Sequence, residues 1–119
     1  MRAGHVGRMT PVCVAAAAMV AASIAAHAGD APTPERQREL ATLVRQDCGS
    51  CHGMRLTGGL GPALTPQALA GKPGESLAAT IVHGRAGTPM PPWRRFVSDD
   101  EAAWLVAALQ EGTLDAPLR

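Results

Sequence analysis

Cys48-Gly49-Ser50-Cys51-His52 is the stretch that decides how this 119-residue chain is read. Two thiols with two residues between them lie along one side of a single helical turn, and an imidazole follows directly. Covalent attachment of a c-type haem needs that order. Both sulfurs add across the porphyrin's two vinyl groups along one edge, and the next residue brings its imidazole beneath the ring to iron. A thioredoxin-like CxxC would stand in a βαβ context, and no strand alternation is visible. A structural zinc site commonly draws four ligands from two such pairs. Beyond residue 28 the chain has one pair and two histidines, His52 and His83.

The residues upstream say where the motif operates. Met1–Arg8 carries Arg2 and Arg8 and no acid, Val12–Ala26 is nearly all Ala, Val, Met and Ile, and Ala26-His27-Ala28 closes the run with small residues. This is the layout of a secretory signal peptide, expected over residues 1–28 with cleavage after Ala28 and a domain over residues 29–119. The rival, an uncleaved anchor, has too short an apolar run for the ~20 residues a spanning helix needs. Cys13 reads as an incidental apolar residue of the leader. Cleavage removes Arg2 and Arg8, leaving 9 basic (11 − 2) against 10 acidic residues, a net charge of −1. That balance provides no basic patch for nucleic acid. A monomer in the periplasm, free of the membrane after cleavage, is the expectation. An exported cysteine pair is ordinarily oxidised to a disulfide, so Cys48 and Cys51 need another claimant. A domain this small also buries little surface. With Trp93, Phe96 and Trp104 as its aromatic residues, it would draw part of its core from a flat apolar cofactor.

Local signals predict an all-α domain with about four short helices and long loops. Thr33 caps the first helix, Pro34 takes its first position, and Glu35 faces the positive end of its dipole. Leu40, Leu43 and Val44 share one face, and the helix runs into Asp47-Cys48. Gly58-Gly59 and Gly61-Pro62 keep the following stretch irregular. Thr65-Pro66 opens a short helix through Ala70, ended by Gly71. Another runs from Gly74 to His83 with Leu77 and Ile81 inward and Gly84 as its stop. Ser98 and Glu101 form a capping box with Val97 as staple. Ala102, Leu105, Val106 and Leu109 make the stripe of the last helix, which Gly112 ends.

A second iron ligand is sought among Met54, His83 and Met90. Met54 is tethered two residues from His52, which keeps it on the proximal side. His83 follows Leu77 by six residues, roughly 240° round the helix, and so points away from the apolar face. Met90 lies in Thr88-Pro89-Met90-Pro91-Pro92, where prolines restrict φ and pre-organise a loop, and the chain from His52 is long enough to pass round the ring edge. Met90 is therefore the expected sixth ligand, in the Met/His pattern. Filled axial positions leave no open site for oxygen or peroxide, which points to single-electron transfer and not to enzymatic chemistry. The alternative is a haem enzyme or gas-binding protein with a labile Met90. A ligating histidine normally donates its other N–H to a carbonyl. Pro62, in the nearest irregular backbone, is the expected acceptor, its plainer reading being a turn proline. Arg85 and Trp93 are candidates to bind the haem propionates, although each also reads as a surface or packing residue.

With Cys48–His52, Gly61-Pro62, Met90-Pro91-Pro92 and Ser98-Asp99-Asp100-Glu101-Ala102 in place, the chain resembles class I monohaem cytochromes c, especially small c-551-like proteins. The resemblance covers nearly all of residues 29–119. It implies one covalent haem c held by Cys48, Cys51 and His52, the Gly-Pro carbonyl supporting His52, and Met90 as distal ligand. The strings Gly58–Pro66, Leu69–Pro73 and Met90–Trp93 look like the cytochrome c55X group, encoded with the cytochrome cd1 nitrite reductase of denitrifying bacteria. That likeness implies electron delivery to the reductase as redox partner, or a redox step in maturing its haem d1.

Overall fold

The computed structural model describes residues 30–115, and the expected leader and cleavage point lie outside the described residues. Helix α1 (Pro34–Leu43) begins as its sequence dictates, with the Thr33 hydroxyl accepting the Arg36 N–H at 3.3 Å and Pro34 in the first turn. The chain does not break before the motif. Val44–Cys48 continues as a π-helical turn, with the Gly49 N–H donating to the Val44 carbonyl, and α2 (Gly49–His52) completes the rod. A π turn carries one residue more than an α turn, so the side chains after it are displaced by about 100° round the axis.

Helix α3 (Pro66–Leu69) is capped by the Thr65 hydroxyl, which accepts the Ala68 N–H at 3.3 Å. Helix α4 (Gly74–His83) packs on α5 (Asp99–Glu111), as does α3. The capping box of α5 is reciprocal: Glu101 N–H donates to Ser98 Oγ at 3.2 Å, and Ser98 N–H to Glu101 Oε2 at 2.9 Å. Gly112 ends α5 at φ +72, and a 3₁₀ turn (Thr113–Asp115) follows. Counting α1, its π turn and α2 as one rod, the described residues form four helical rods and no strand.

The core is aliphatic. Leu40, Ala41 and Val44 from the first rod pack into one cluster with Ala102, Leu105, Ala108 and Leu109 of α5, and Leu56, Leu69, Val82, Val97 and Leu114 complete it. Arg36 fastens the same crossing from outside. Its Nε reaches Glu101 at 2.6 Å, one Nη reaches Glu39 at 2.8 Å, and the other reaches the Phe96 carbonyl at 2.7 Å.

Leu77 and Ile81 face inward as their spacing predicts, and the packing around them leaves room at the centre. Trp93 and Trp104 are only half-buried, and Phe96 is 60 % exposed, so the aromatic residues flank the core instead of filling it. Phe96 stays out because its turn is hydrogen-bonded back onto Trp93. On α4 the fully buried residue is Val82, whereas Leu77 and Ile81 are half-buried because their side of the helix lines a cavity.

Candidate haem site

That cavity, about 680 Å³, opens between the first rod, the loop after it, and the α4–α5 pair. Its size is that of a pocket for an organic cofactor, roughly 300–1,000 Å³. Leu64, Leu77, Ile81, Trp93, Leu105 and Leu109 supply apolar wall, and Cys48, Cys51 and His52 stand in the same lining. No disulfide joins Cys48 to Cys51. In the chain before haem attachment, burial, with Asp47 beside it, pushes the Cys48 thiol up to about 11.

His52 is held by the backbone of two neighbouring residues. Its Nδ1 lies 2.6 Å from the Pro62 carbonyl oxygen. A carbonyl can only accept, so Nδ1 carries the proton and Nε2 keeps the lone pair a metal would use. Gly61 also presses against the ring: a Cβ there would lie 2.7 Å from His52 Cε1 and 2.8 Å from Nδ1. Only glycine lets the loop approach this closely. The loop is tied to the motif helix by Gly61 N–H to Cys51 O at 2.9 Å and Gly58 N–H to His52 O at 2.8 Å.

Met90 is half-buried and lines the same cavity. The turn carrying it is closed by Arg85 N–H to Met90 O at 3.2 Å and Thr88 N–H to Arg85 O at 3.1 Å. The Thr88 hydroxyl donates to Arg85 O at 2.8 Å and accepts the Met90 N–H at 3.3 Å. Gly84 does more than stop α4. At φ +70 and ψ −170 it lies outside the left-handed helical region, and a Cβ there would meet the Met90 carbonyl at 2.7 Å. This glycine lets the end of α4 and the methionine turn lie back to back.

All seven expected site residues (Cys48, Cys51, His52, Pro62, Arg85, Met90 and Trp93) line this one cavity. Met54, 70 % exposed, and His83, also exposed, are not in its lining. The lining also includes Thr88, Lys72 and Asp47. Thr88 was legible as a hydroxyl two residues before the ligand candidate, in a position to close a turn. Lys72 and Asp47 gave no signal, since nothing in local spacing says that a charge will face a cavity formed by distant elements.

The donor set fits a covalently bound haem: paired thiols, an imidazole with its tautomer fixed, and a thioether around one apolar space. The helical fold and this motif define a c-type cytochrome. The family described as cytochrome c oxidase, cbb3-type, subunit III matches residues 35–108. Cytochrome c55X of Pseudomonas aeruginosa is 61 % identical over 87 residues, 73 % of each chain. Cytochrome c55X of Paracoccus denitrificans is 54 % identical over 74 residues, 62 % of this chain and 72 % of that one. The solved structure of a c-type cytochrome NirC superposes with TM-score 0.68 at 63 % identity, covering 70 % of this chain and 98 % of that one. The dihydro-heme d1 dehydrogenase of P. aeruginosa is 36 % identical over 86 residues, 72 % of this chain but 16 % of that protein. The chain belongs to this c-type cytochrome family and, within it, to the cytochrome c55X proteins, and it carries one covalently attached haem c.

Proposed function

We propose that the protein is a periplasmic single-electron carrier, and not an enzyme, in which Cys48 and Cys51 form the thioethers and His52 and Met90 ligate iron. The observation that supports this most is that His52, with Nδ1 on the Pro62 carbonyl, and Met90, on a turn closed by Thr88, line one cavity. Bound haem supplies reversible one-electron chemistry at iron. The chain's own residues hold the ligands and exclude water from the apolar side. Thioether sulfur favours ferrous iron, which suits a high-potential carrier. Arg85 and Lys72, cations at the cavity, suit the two propionates, and Trp93 offers an indole N–H to the same groups.

The electrons go to cytochrome cd1 nitrite reductase in denitrification, as the kinship with cytochromes c55X suggests. A second reading, a redox step in haem d1 maturation, is favoured by the 36 % identity to a dihydro-heme d1 dehydrogenase. The deciding experiment has two parts. Ferric wild-type protein should show the weak far-red sulfur-to-iron band, and Met90→Leu should abolish it while Met54→Leu and His83→Ala keep it. Reduced protein mixed with the purified reductase should then be oxidised within a single kinetic phase. A far-red band that survives Met90→Leu defeats the ligand assignment. Oxidation by the dehydrogenase system alone would favour the maturation role.

A further inference from the structure

Trp93 to Phe96 forms a rigid exposed ridge against the cavity wall. Trp93 lines the cavity, and the Phe96 ring lies 5.9 Å from it, centroid to centroid, tilted by 56°. Phe96 is the chain's single phenylalanine, and its exposure is fixed by the backbone. Trp93 N–H donates to Ile81 O at 3.0 Å and Arg94 N–H to Val82 O at 3.3 Å, while Phe96 and Val97 N–H both return to Trp93 O at 2.8 and 3.0 Å. Arg36 holds the Phe96 carbonyl from the other side. Five hydrogen bonds prevent the ring from folding inward.

Along the chain from Gly84 to Ser98 the charge is of one sign. This stretch has Arg85, Arg94 and Arg95 and no carboxylate, in a chain whose residues 29–119 carry one more acid than base. Arg94 and Arg95 are exposed, and among the described residues neither forms an ion pair. Asp99 and Asp100 open α5 and pair with neither arginine. A pre-organised aromatic flanked by arginines has the composition of an interface centre, and rigidity lowers the ordering cost of binding.

The geometry points to the Trp93–Phe96 ridge as a docking surface for a protein redox partner that presents carboxylates around an apolar centre. It differs from the exposed apolar residues on the motif side, Leu60 and Met54 at 88 % and 70 % exposure. A partner seated on Phe96 is one side chain, Trp93, from the cavity. The inference rests on the proposed electron-carrier role.

The test titrates ¹⁵N-labelled ferrous holoprotein separately with plastocyanin, a strongly acidic copper protein used as probe, and with cytochrome cd1 nitrite reductase. With plastocyanin, amide shifts should centre on residues 93–97. Arg94→Glu with Arg95→Glu should weaken that binding about tenfold at low salt, and 0.3 M salt should largely erase the difference. Phe96→Ala should weaken it several-fold at either ionic strength. All variants should keep the wild-type far-red band and potential. Shifts confined to Met54 and Leu60, variants that bind like wild type, or no binding of plastocyanin would overturn the assignment. So would self-association through residues 93–97, or perturbation there by phosphatidylglycerol vesicles alone. Binding of plastocyanin without binding of the reductase keeps the surface and removes the reductase as the carrier's partner.

Discussion

Replacing Gly61 by alanine tests whether the loop after the motif sets the state of the proximal histidine. The new methyl would lie 2.7 Å from His52 Cε1 and 2.8 Å from Nδ1, against the roughly 3.5–4.0 Å of an ordinary carbon contact. The ring or the loop must therefore give by about 0.7–1.3 Å. The loop is held by Gly61 N–H to Cys51 O and Gly59 N–H to Gly61 O, both at 2.9 Å, so the ring moves. Stretched by that amount from 2.6 Å, the bond to Pro62 O passes beyond the usual limit of about 3.2 Å. Losing it costs about 0.5–1.5 kcal/mol, and overpacking adds about 1–3 kcal/mol. A loss of roughly 2–4 kcal/mol is large beside a domain stability of about 5–15 kcal/mol. The carbonyl also makes the imidazole a stronger donor, which favours ferric iron, so losing it should raise the potential. Denaturant unfolding followed at the Soret band measures the first effect, and spectroelectrochemistry the second. Gly71→Ala is the control, because its φ of +71 makes it strained while nothing lies within 4 Å of the added carbon. It should lose about 1 kcal/mol and leave the potential alone. If Gly61→Ala keeps both the midpoint and the potential of wild type, the close approach of loop to imidazole has no such role.

Cys48→Ala combined with Cys51→Ala should give a chain that folds poorly and shows no haem stain on a denaturing gel; retained stain would contradict covalent attachment through these thiols. Arg36, hydrogen-bonded to Glu101, holds that carboxylate below its usual pKa. The pair's stabilisation is thus complete above the ordinary carboxylate range and is lost as pH falls through the lowered value. Arg36→Met should cost about 1–2 kcal/mol at pH 7 for this partly exposed pair, and the gap to wild type in urea unfolding should close as pH is lowered. A gap that is constant with pH would mean that Arg36 acts through packing. Intact mass of the exported protein should match a chain beginning at Gly29 plus one haem, and recovery at full length in membranes would favour an uncleaved anchor.

Much of the protein was decided by local sequence. Cys48–His52 specifies its cofactor chemistry by spacing within one helical turn. Thr33-Pro34, Thr65-Pro66 and the Ser98–Glu101 box specify helix starts because caps act over three or four residues. The turn at Met90 was legible for the same reason, since the prolines around it restrict the backbone whatever the side chain faces. What the chain brings together across long separations was not legible. The π turn at Val44–Cys48 reorients the motif relative to the face read from Leu40 and Leu43, and no residue there announces it. Nothing local says that Phe96 stays exposed; its turn donates to Ile81 O and Val82 O, and Arg36 donates to the Phe96 carbonyl. Lys72 and Asp47 become cavity residues only when the first rod, the loop and the α4–α5 pair close around one space. Caps, turns and attachment motifs are short-range physics and are written in neighbouring residues. The side of a charge or ring that meets a cavity is fixed only when distant helices pack.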